Sequence, residues 1–358
     1  MRLKNTFSNN LDNTYTEVVD AIKALLRSEL GEKVSKVMKL LGGINSEAFR
    51  VLTDRNNEYF VKKYITRKGD NRNRLSTEFS GLSFLWANGI RNIPEPLLAS
   101  ECSNIVIYRF VNGSKIFSGK ITLGDIDEAA NFAGKLHSLI RSKGAEEQPV
   151  ASEACFSIQA YIDCVEERFD RLRSVTKKGS VFNSMRECLE DEFLPFFNEL
   201  KEFTIQKAKK YHIDINKVLH DNERTLSASD FGFHNAIRTT DKHIYFIDFE
   251  YYGWDDPAKM IADFYLQPAV HVPIEYRKHF FKKVRGKYCD GLGLEKRLSI
   301  IYPILGLKWC LIMLNTFLHV DDGENYEANC LEYLDKSMRK FKEIKDEIAC
   351  NVFPIALA

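Results

Sequence analysis

"LSASDFGFHNAI" (residues 226–237), followed closely by "HIYFIDFEYYGWDDP" (243–257), decides how this chain is read. Asp230 and Asn235 bracket a turn around Gly232, and Asp248 interrupts the end of a hydrophobic strand. A lone carboxylate at such a place is costly to bury. A cation removes the cost, and Mg²⁺ is suited to it because it takes oxygen ligands while keeping waters and phosphate oxygens in its shell. Asn235 and Asp248 supply one amide and one carboxylate oxygen, which leaves Asp230 to accept a proton from a hydroxyl. The competing reading is a structural Asx turn plus an Asp at a strand end; the joint occurrence favours the chemical one.

The surrounding chain has 358 residues, enough for two domains with sizeable cores. Hydrophobic residues make up 44% and charged residues 28%, the balance of an ordinary globular protein. A net charge of +1 gives no electrostatic argument for nucleic acid or an anionic membrane as partner. The eight cysteines form no CxxC pair and no zinc-spaced cluster with histidine, which reads as a reducing, cytoplasmic setting. The N-terminal stretch lacks the apolar core of a signal peptide. The most hydrophobic run, "IIYPILGLKWCLIMLNTFL" (300–318), contains Pro303, Gly306, Lys308 and Asn315 and is read as a buried helix, not a membrane span.

Periodicity divides the chain into a sheet-rich first third and a helix-rich remainder. Val18, Val19, Ile22, Leu25 and Leu26 predict a helix over 16–30, ended by Gly31. Three strand-like runs follow, "VSKVMKLL", "EAFRVLT" and "EYFVKKYI", joined by the turn-forming "GGINS" and "DRNNE". Such short loops imply antiparallel neighbours. A helix over 72–89 with Phe79, Leu82, Leu85 and Trp86 on its apolar side is broken by "NIPEP", and "SNIVIYRFVNG" is another strand. Helices are expected over 122–144, about 156–174 and 182–210, and through most of the chain after residue 250. The layout predicts an α+β fold: an N-lobe of residues 1–112, a helical C-lobe of 113–358, and a hinge near 109–113.

Three features of the first lobe bear on chemistry. Gly42 and Gly43 in "LLGGINSEAFRVL" let backbone N–H groups approach a phosphate, although a hairpin turn needs glycines equally. Lys62 and Lys63 in "YFVKKY" point to opposite faces, so one is expected to face inward beneath that loop, where it would neutralise phosphate oxygens. Glu78, beside the apolar face of the following helix, can hold such a lysine in place.

The spacing Asp230-x4-Asn235 followed by Ile-Asp248-Phe resembles the catalytic signature of the protein-kinase-like small-molecule phosphotransferases, which include aminoglycoside phosphotransferases and choline/ethanolamine kinases. "IDFEY" is similar to the choline-kinase side, and "DPAKMIADF" and "AGKLHSL" to the aminoglycoside-phosphotransferase side. The resemblance spans roughly 35–320 and implies a bilobal fold with ATP or GTP in the cleft. It implies Asp230 as catalytic base, Asn235 and Asp248 as Mg²⁺ ligands, Lys62 as the phosphate-binding lysine with Glu78 as its ion-pair partner, and Gly42, Gly43, Asn45 and Ser46 as the phosphate loop. Backbone groups near Arg109 and Val111 would meet the adenine. One departure is Ala228, where the family usually has a histidine two residues before the catalytic aspartate.

Acceptor specificity is expected from the helical lobe, with Glu250, Trp254, Asp255, Asp256 and Trp309 as lining groups. Acids suit an amine, and aromatics, Tyr251 among them, suit a quaternary ammonium or a sugar face. The same residues also read as core aromatics and a helix N-cap. The expected activity is transfer of the γ-phosphate of ATP to a hydroxyl of a sugar, an aminoglycoside-like compound or an amino alcohol. The alternatives are a non-catalytic nucleotide-binding scaffold, suggested by Ala228, and a protein kinase, disfavoured because no Ala-Pro-Glu follows "DFE".

Overall fold

The computed structural model describes residues 5–41, 43, 45–66, 72–288, 293–318 and 325–355, with residues 5–14 described as backbone only. Gly42, one of the two glycines expected to cradle phosphate, lies outside the described residues. The chain forms two compact units. The first comprises residues 1–115 and 236–252, and the second comprises 116–235 and 253–358. The expected contiguous division after residue 112 therefore differs from the observed one: the segment that carries Asp248 returns to the first unit.

The first unit opens with α1 (Asn5–Leu30), eleven residues longer at its start than the apolar periodicity indicates. Five antiparallel strands follow: β1 (Val34–Leu40), β2 (Ser46–Thr53), β3 (Glu58–Tyr64), β4 (Pro96–Ser100) and β5 (Ile105–Arg109), in the order β1-β2-β3-β5-β4. The helix α2 (Arg74–Ala87) lies between β3 and β4 in the chain. Alternation along β3 explains how the sheet is covered. Tyr59 and Val61 point to one face and join Phe49, Val51, Ile105 and Ile107 against Val18, Ile22 and Leu26 of α1. Lys62 and Tyr64 point to the other face, toward α2. β4 begins at a proline that reads as a breaker in sequence. Proline is tolerated there because β4 is an edge strand and Pro96 is its first residue. The two-residue β6 (Ser114–Lys115) pairs with β8 (Ala236–Arg238), which pairs with β9 (Ile244–Phe246); this ladder ties residues 236–252 into the first unit.

The second unit is mostly helical: α3 (Leu123–Ser138), α4 (Ile158–Arg173), α5 (Ser180–Glu187), α6 (Leu194–Lys210), α7 (Pro257–Leu266), α8 (Ile274–Arg285), α9 (Leu294–Met313) and α10 (Tyr326–Ala349). The exception is a short ladder of β7 (Thr225–Ser227) with β10 (Gly253–Asp255), in the register Gly253↔Ser227 to Asp255↔Thr225. The apolar run of 294–318 is long and hydrophobic enough to cross a membrane by composition, yet 83% of its window is buried within the protein. It forms α9, which packs against α4, α6, α7 and α10. Asp256 caps α7 by accepting from Ala258 N (2.8 Å), and its carboxylate also receives Arg297 of α9 (2.6 Å) and Tyr161 of α4 (2.8 Å). One buried carboxylate thus ties three helices together, with its charge compensated by the guanidinium.

Candidate active site

In the first unit, Lys62 is the inward lysine. Its Nζ stands 2.8 Å from Glu78 Oε2 and 2.7 Å from Asp248 Oδ1, with Glu250 at 3.9 Å. Lys63 points away and bonds the Ser103 carbonyl. Burial alone would push the Lys62 ammonium toward neutrality, but the carboxylates of Asp248, Glu78 and Glu250 outweigh it and hold the pKa well above the ordinary lysine value. Glu78 is pushed up to about 7, first by burial and then, against the opposing pull of Lys62, by the nearby Asp248 and Glu250. Tyr64 donates its hydroxyl to Glu78, and the Phe249 amide approaches the same carboxylate at 3.4 Å. Asp248 adopts φ +67°, a left-handed conformation that costs a non-glycine residue roughly 1–3 kcal/mol and is concentrated at functional sites. Its carboxylate remains 38% exposed, so one oxygen faces Lys62 while the group keeps access to solvent.

The segment after Asp248 braces this group. Asn45 donates its amide to Glu250 (2.6 Å) and to the Tyr251 hydroxyl (3.0 Å), and Arg74 lies 3.7 Å from Glu250. Glu250 is only 6% exposed. It was expected to line an acceptor site in the helical part. Instead it is a buried member of the first unit, because β8 and β9 form a separate three-stranded sheet with β6 and carry residues 236–252 there. Tyr251 goes with it, with Arg72 and Arg74 over its ring. Tyr252 packs against α2 so closely that a Cβ at Gly81 would stand 2.4 Å from its ring. Gly43 lies in open space, where an added Cβ would meet nothing within 4 Å. Ser46 is buried as the first residue of β2. Of the pair placed at the adenine edge, Arg109 commits its N–H to the Glu95 carbonyl (3.0 Å) and pairs with Tyr59 across the sheet.

In the second unit, β7 delivers the chain into the turn 228–235. Asp230 N donates to the Ala228 carbonyl (2.8 Å), closing a tight three-residue turn with Ser229 at φ +64°. Phe231 and Phe233, on either side of Gly232, anchor the turn from below. Phe231 stacks between Phe132 of α3 (6.0 Å) and Phe264 of α7 (5.1 Å), and Phe233 lies 5.2 Å from Phe264. The 3-10 turn over Phe233–Asn235 brings Asn235 back to Asp230. Asn235 Nδ2 donates to the Asp230 carbonyl (3.1 Å) and to Asp230 Oδ2 (3.0 Å), and His234 Nε2 stands 3.1 Å from Asp230 Oδ1. Burial would raise the Asp230 pKa, but His234, Asn235 and Lys259 overcome it and hold the carboxylate below the usual range, hence ionised. Gly232 leaves room for the His234 ring, which a Cβ there would meet at 2.7 Å.

The other residues expected to touch an acceptor are already engaged. Asp255 is wholly buried and bonds Lys259 (2.8 Å), and Asp256 is the cap described above. Both are structural carboxylates, contrary to the expectation that they line a substrate site. Trp254 donates its indole N–H to Ala145 (3.0 Å) and Trp309 to Asp263 (2.8 Å); both rings are half-buried, which leaves part of each surface accessible. Lys259 and Asp263 were not singled out in the sequence, since lysine and aspartate on a helix are ordinarily exposed.

The oxygen donors suit a hard divalent cation. Asn235 spends its amide nitrogen on Asp230, which leaves its carbonyl oxygen as the donor it can offer, and in the first unit Asp248 keeps an accessible carboxylate. Among the described residues no group of three or more His, Cys, Asp or Glu gathers to bind a metal on its own. An amide oxygen and a carboxylate oxygen are each donors of the kind magnesium accepts.

No family model and no curated protein matches the sequence. Solved structures do match. Spectinomycin phosphotransferase in complex with ADP and spectinomycin is 14% identical over 91% of this chain and 98% of its own, with a TM-score of 0.62. Choline kinase from Cryptosporidium parvum is 14% identical over 94% and 98%, with a TM-score of 0.63. Ethanolamine kinase from Plasmodium vivax is 18% identical over 86% and 83%, with a TM-score of 0.57. The chain has the kinase-like fold shared by these small-molecule phosphotransferases.

Proposed function

We propose that the protein is an ATP-dependent phosphotransferase that moves the γ-phosphate to a hydroxyl of a small molecule: a sugar, an aminoglycoside-like compound or an amino alcohol. The observation that carries the reading is the inward Lys62, buried and held between Glu78 of α2 and the left-handed Asp248. A buried ammonium that these carboxylates keep protonated and fixed in position is a charge-assisted donor for phosphate oxygens. The Asp230–Asn235 turn supports it from the second unit, because an ionised aspartate with a neighbouring amide is a hydroxyl acceptor beside a cation ligand.

Each residue then has a role set by its chemistry. Lys62 donates to phosphate oxygens, and Glu78 fixes its position. Asn235 and Asp248 would hold Mg²⁺, which when bound neutralises charge developing on the transferred phosphoryl group. Asp230, kept ionised by His234 and Asn235, orients the acceptor hydroxyl and takes its proton as the oxygen becomes bonded to phosphorus. A carboxylate with a lowered pKa is a weak base, so its main contribution is orientation, with proton uptake late in the reaction. Half-buried Trp254 and Trp309 are the aromatic surfaces in the helical unit offered to an acceptor.

The test is ADP release from ATP across a panel of sugars, aminoglycosides and amino alcohols, with nucleotide affinity measured by calorimetry on the wild type and Lys62→Met. The reading requires acceptor-stimulated ADP release and a nucleotide affinity weakened at least about tenfold by the lysine substitution, the effect of losing a charge-assisted hydrogen bond. Nucleotide affinity unchanged by Lys62→Met would refute it.

A further inference from the structure

A buried lysine outside the expected site reaches the turn that presents Asp230. Lys259, on the first turn of α7, is wholly buried. Its Nζ stands 2.8 Å from Asp255 Oδ2, 3.1 Å from Asp263 Oδ2 and 3.3 Å from Ser229 Oγ. An ammonium has three N–H donors, and three oxygens are here to take them. Two belong to its own segment, four residues before and four after. The third belongs to the turn, one residue ahead of Asp230.

The carboxylates explain why a lysine tolerates this position. Burial opposes its charge, but Asp255 and Asp263 more than compensate and keep the ammonium protonated. Asp263 also accepts from Trp309 (2.8 Å) and Lys308 (3.4 Å), and Asp255 from the Asp256 amide (2.9 Å), so both carboxylates are fixed in place around the Lys259 ammonium. Asp255 sits in β10, which pairs with β7, the strand that feeds the turn. A single side chain therefore joins β10, α7 and the turn.

What the turn lacks makes this tether matter. Ala228 offers only a methyl to its surroundings, and Ser229 is held in a left-handed conformation that an untethered serine rarely occupies. The Phe231 and Phe233 anchors fix the turn on its C-terminal side. On the N-terminal side, the side-chain bonds are Ser227 Oγ accepting from the Ser229 amide (2.9 Å) and Lys259 donating to the Ser229 hydroxyl.

We propose that Lys259 is the positioning residue of the Asp230 turn, acting through the Ser229 hydroxyl to hold the aspartate where a hydroxyl substrate meets it. Its catalytic consequence rests on the phosphotransferase reading, whereas the tether does not. The experiment compares wild type, Ser229→Ala and Lys259→Met by peptide-level amide hydrogen exchange and, once an acceptor is found, by kcat and KM for ATP. Ser229→Ala removes one hydrogen bond to a charged donor and nothing from the core, so it remains informative if Lys259→Met fails to fold. The expected result is exchange over 226–237 faster by about tenfold or more in Ser229→Ala, unchanged protection elsewhere, and kcat lower by about tenfold with KM for ATP unchanged. Unchanged exchange over 226–237 overturns the inference, as does faster exchange with kcat unaltered. Faster exchange in a protein whose wild type phosphorylates nothing upholds the tether and removes the phosphotransferase reading instead.

Discussion

Acid should loosen the second unit through one histidine, and the structure gives the size of the effect. His137 of α3 is 6% exposed, its ring stacks on Tyr288 at 3.9 Å, and Nδ1 has no hydrogen-bond partner among the described residues. The Tyr288 hydroxyl lies 3.4 Å from Thr225 Oγ1 on β7, so the histidine supports the strand that leads to the Asp230 turn. Burial, with a smaller push from Arg141, lowers its pKa from 6.5 to about 4. A group depressed in the folded state contributes stability above its unfolded pKa and loses it as pH falls toward the folded one. The window is therefore pH 6.5 down to 4. Linkage over those two values gives a loss of about 2 kcal/mol at pH 5 and about 3 kcal/mol at pH 4, relative to pH 8. The assay is urea unfolding between pH 8 and pH 4, followed by fluorescence of Trp254 and Trp309 in a Trp86→Phe background so that only the second unit reports. His137→Phe keeps a ring against Tyr288 and has nothing to protonate. The wild type should lose those amounts relative to the variant. Parallel stability curves from pH 8 to pH 4 would show that the imidazole is not excluded from charging, and the reasoning would fail.

Two further outcomes follow from packing. Gly81→Ala places a methyl within 2.4 Å of the Tyr252 ring and should destabilise the first unit by about 1–3 kcal/mol, read as a lower urea midpoint of the Trp86 signal. Arg277 of α8 is bonded to Glu347 of α10 (2.9 Å) and to Tyr302 of α9 (2.8 Å), all buried; Arg277→Met should cost about 3–5 kcal/mol by leaving Glu347 unpaired, and Arg277→Met with Glu347→Leu should recover most of it.

The elements with clean periodicity were legible in the sequence. β3 announces itself by alternation, α2 and α3 by apolar faces, and the apolar run of 300–318 as a buried helix. β4 was hidden because Pro96 reads as a stop, while its edge position removes the need for that N–H. The return of residues 236–252 to the first unit was hidden too. It depends on pairing of Ser114–Lys115 with residues 237 and 238, more than a hundred positions apart, and no local pattern encodes a partner at that distance. At the site, the types and spacing of Asp230, Asn235 and Asp248 mark out chemistry, since carboxylates at strand ends and turns demand a reason. Glu250 and Asp255 were misassigned because sequence gives an acid's type without its surroundings. Asn45 and Arg74 engage the first, and Lys259 neutralises the second. Lys259 left no signal, because only the fold reveals that a helical lysine is buried.

Phosphoryl transfer itself is the decisive measurement. Labelled γ-phosphate from ATP should appear on at least one small hydroxyl compound in the presence of Mg²⁺ with the wild type, and Asp230→Asn should lower the rate by about 10²–10⁴-fold while nucleotide binding persists. A wild-type protein that labels no sugar, aminoglycoside or amino alcohol, or an Asp230→Asn variant that transfers as fast as wild type, would contradict it.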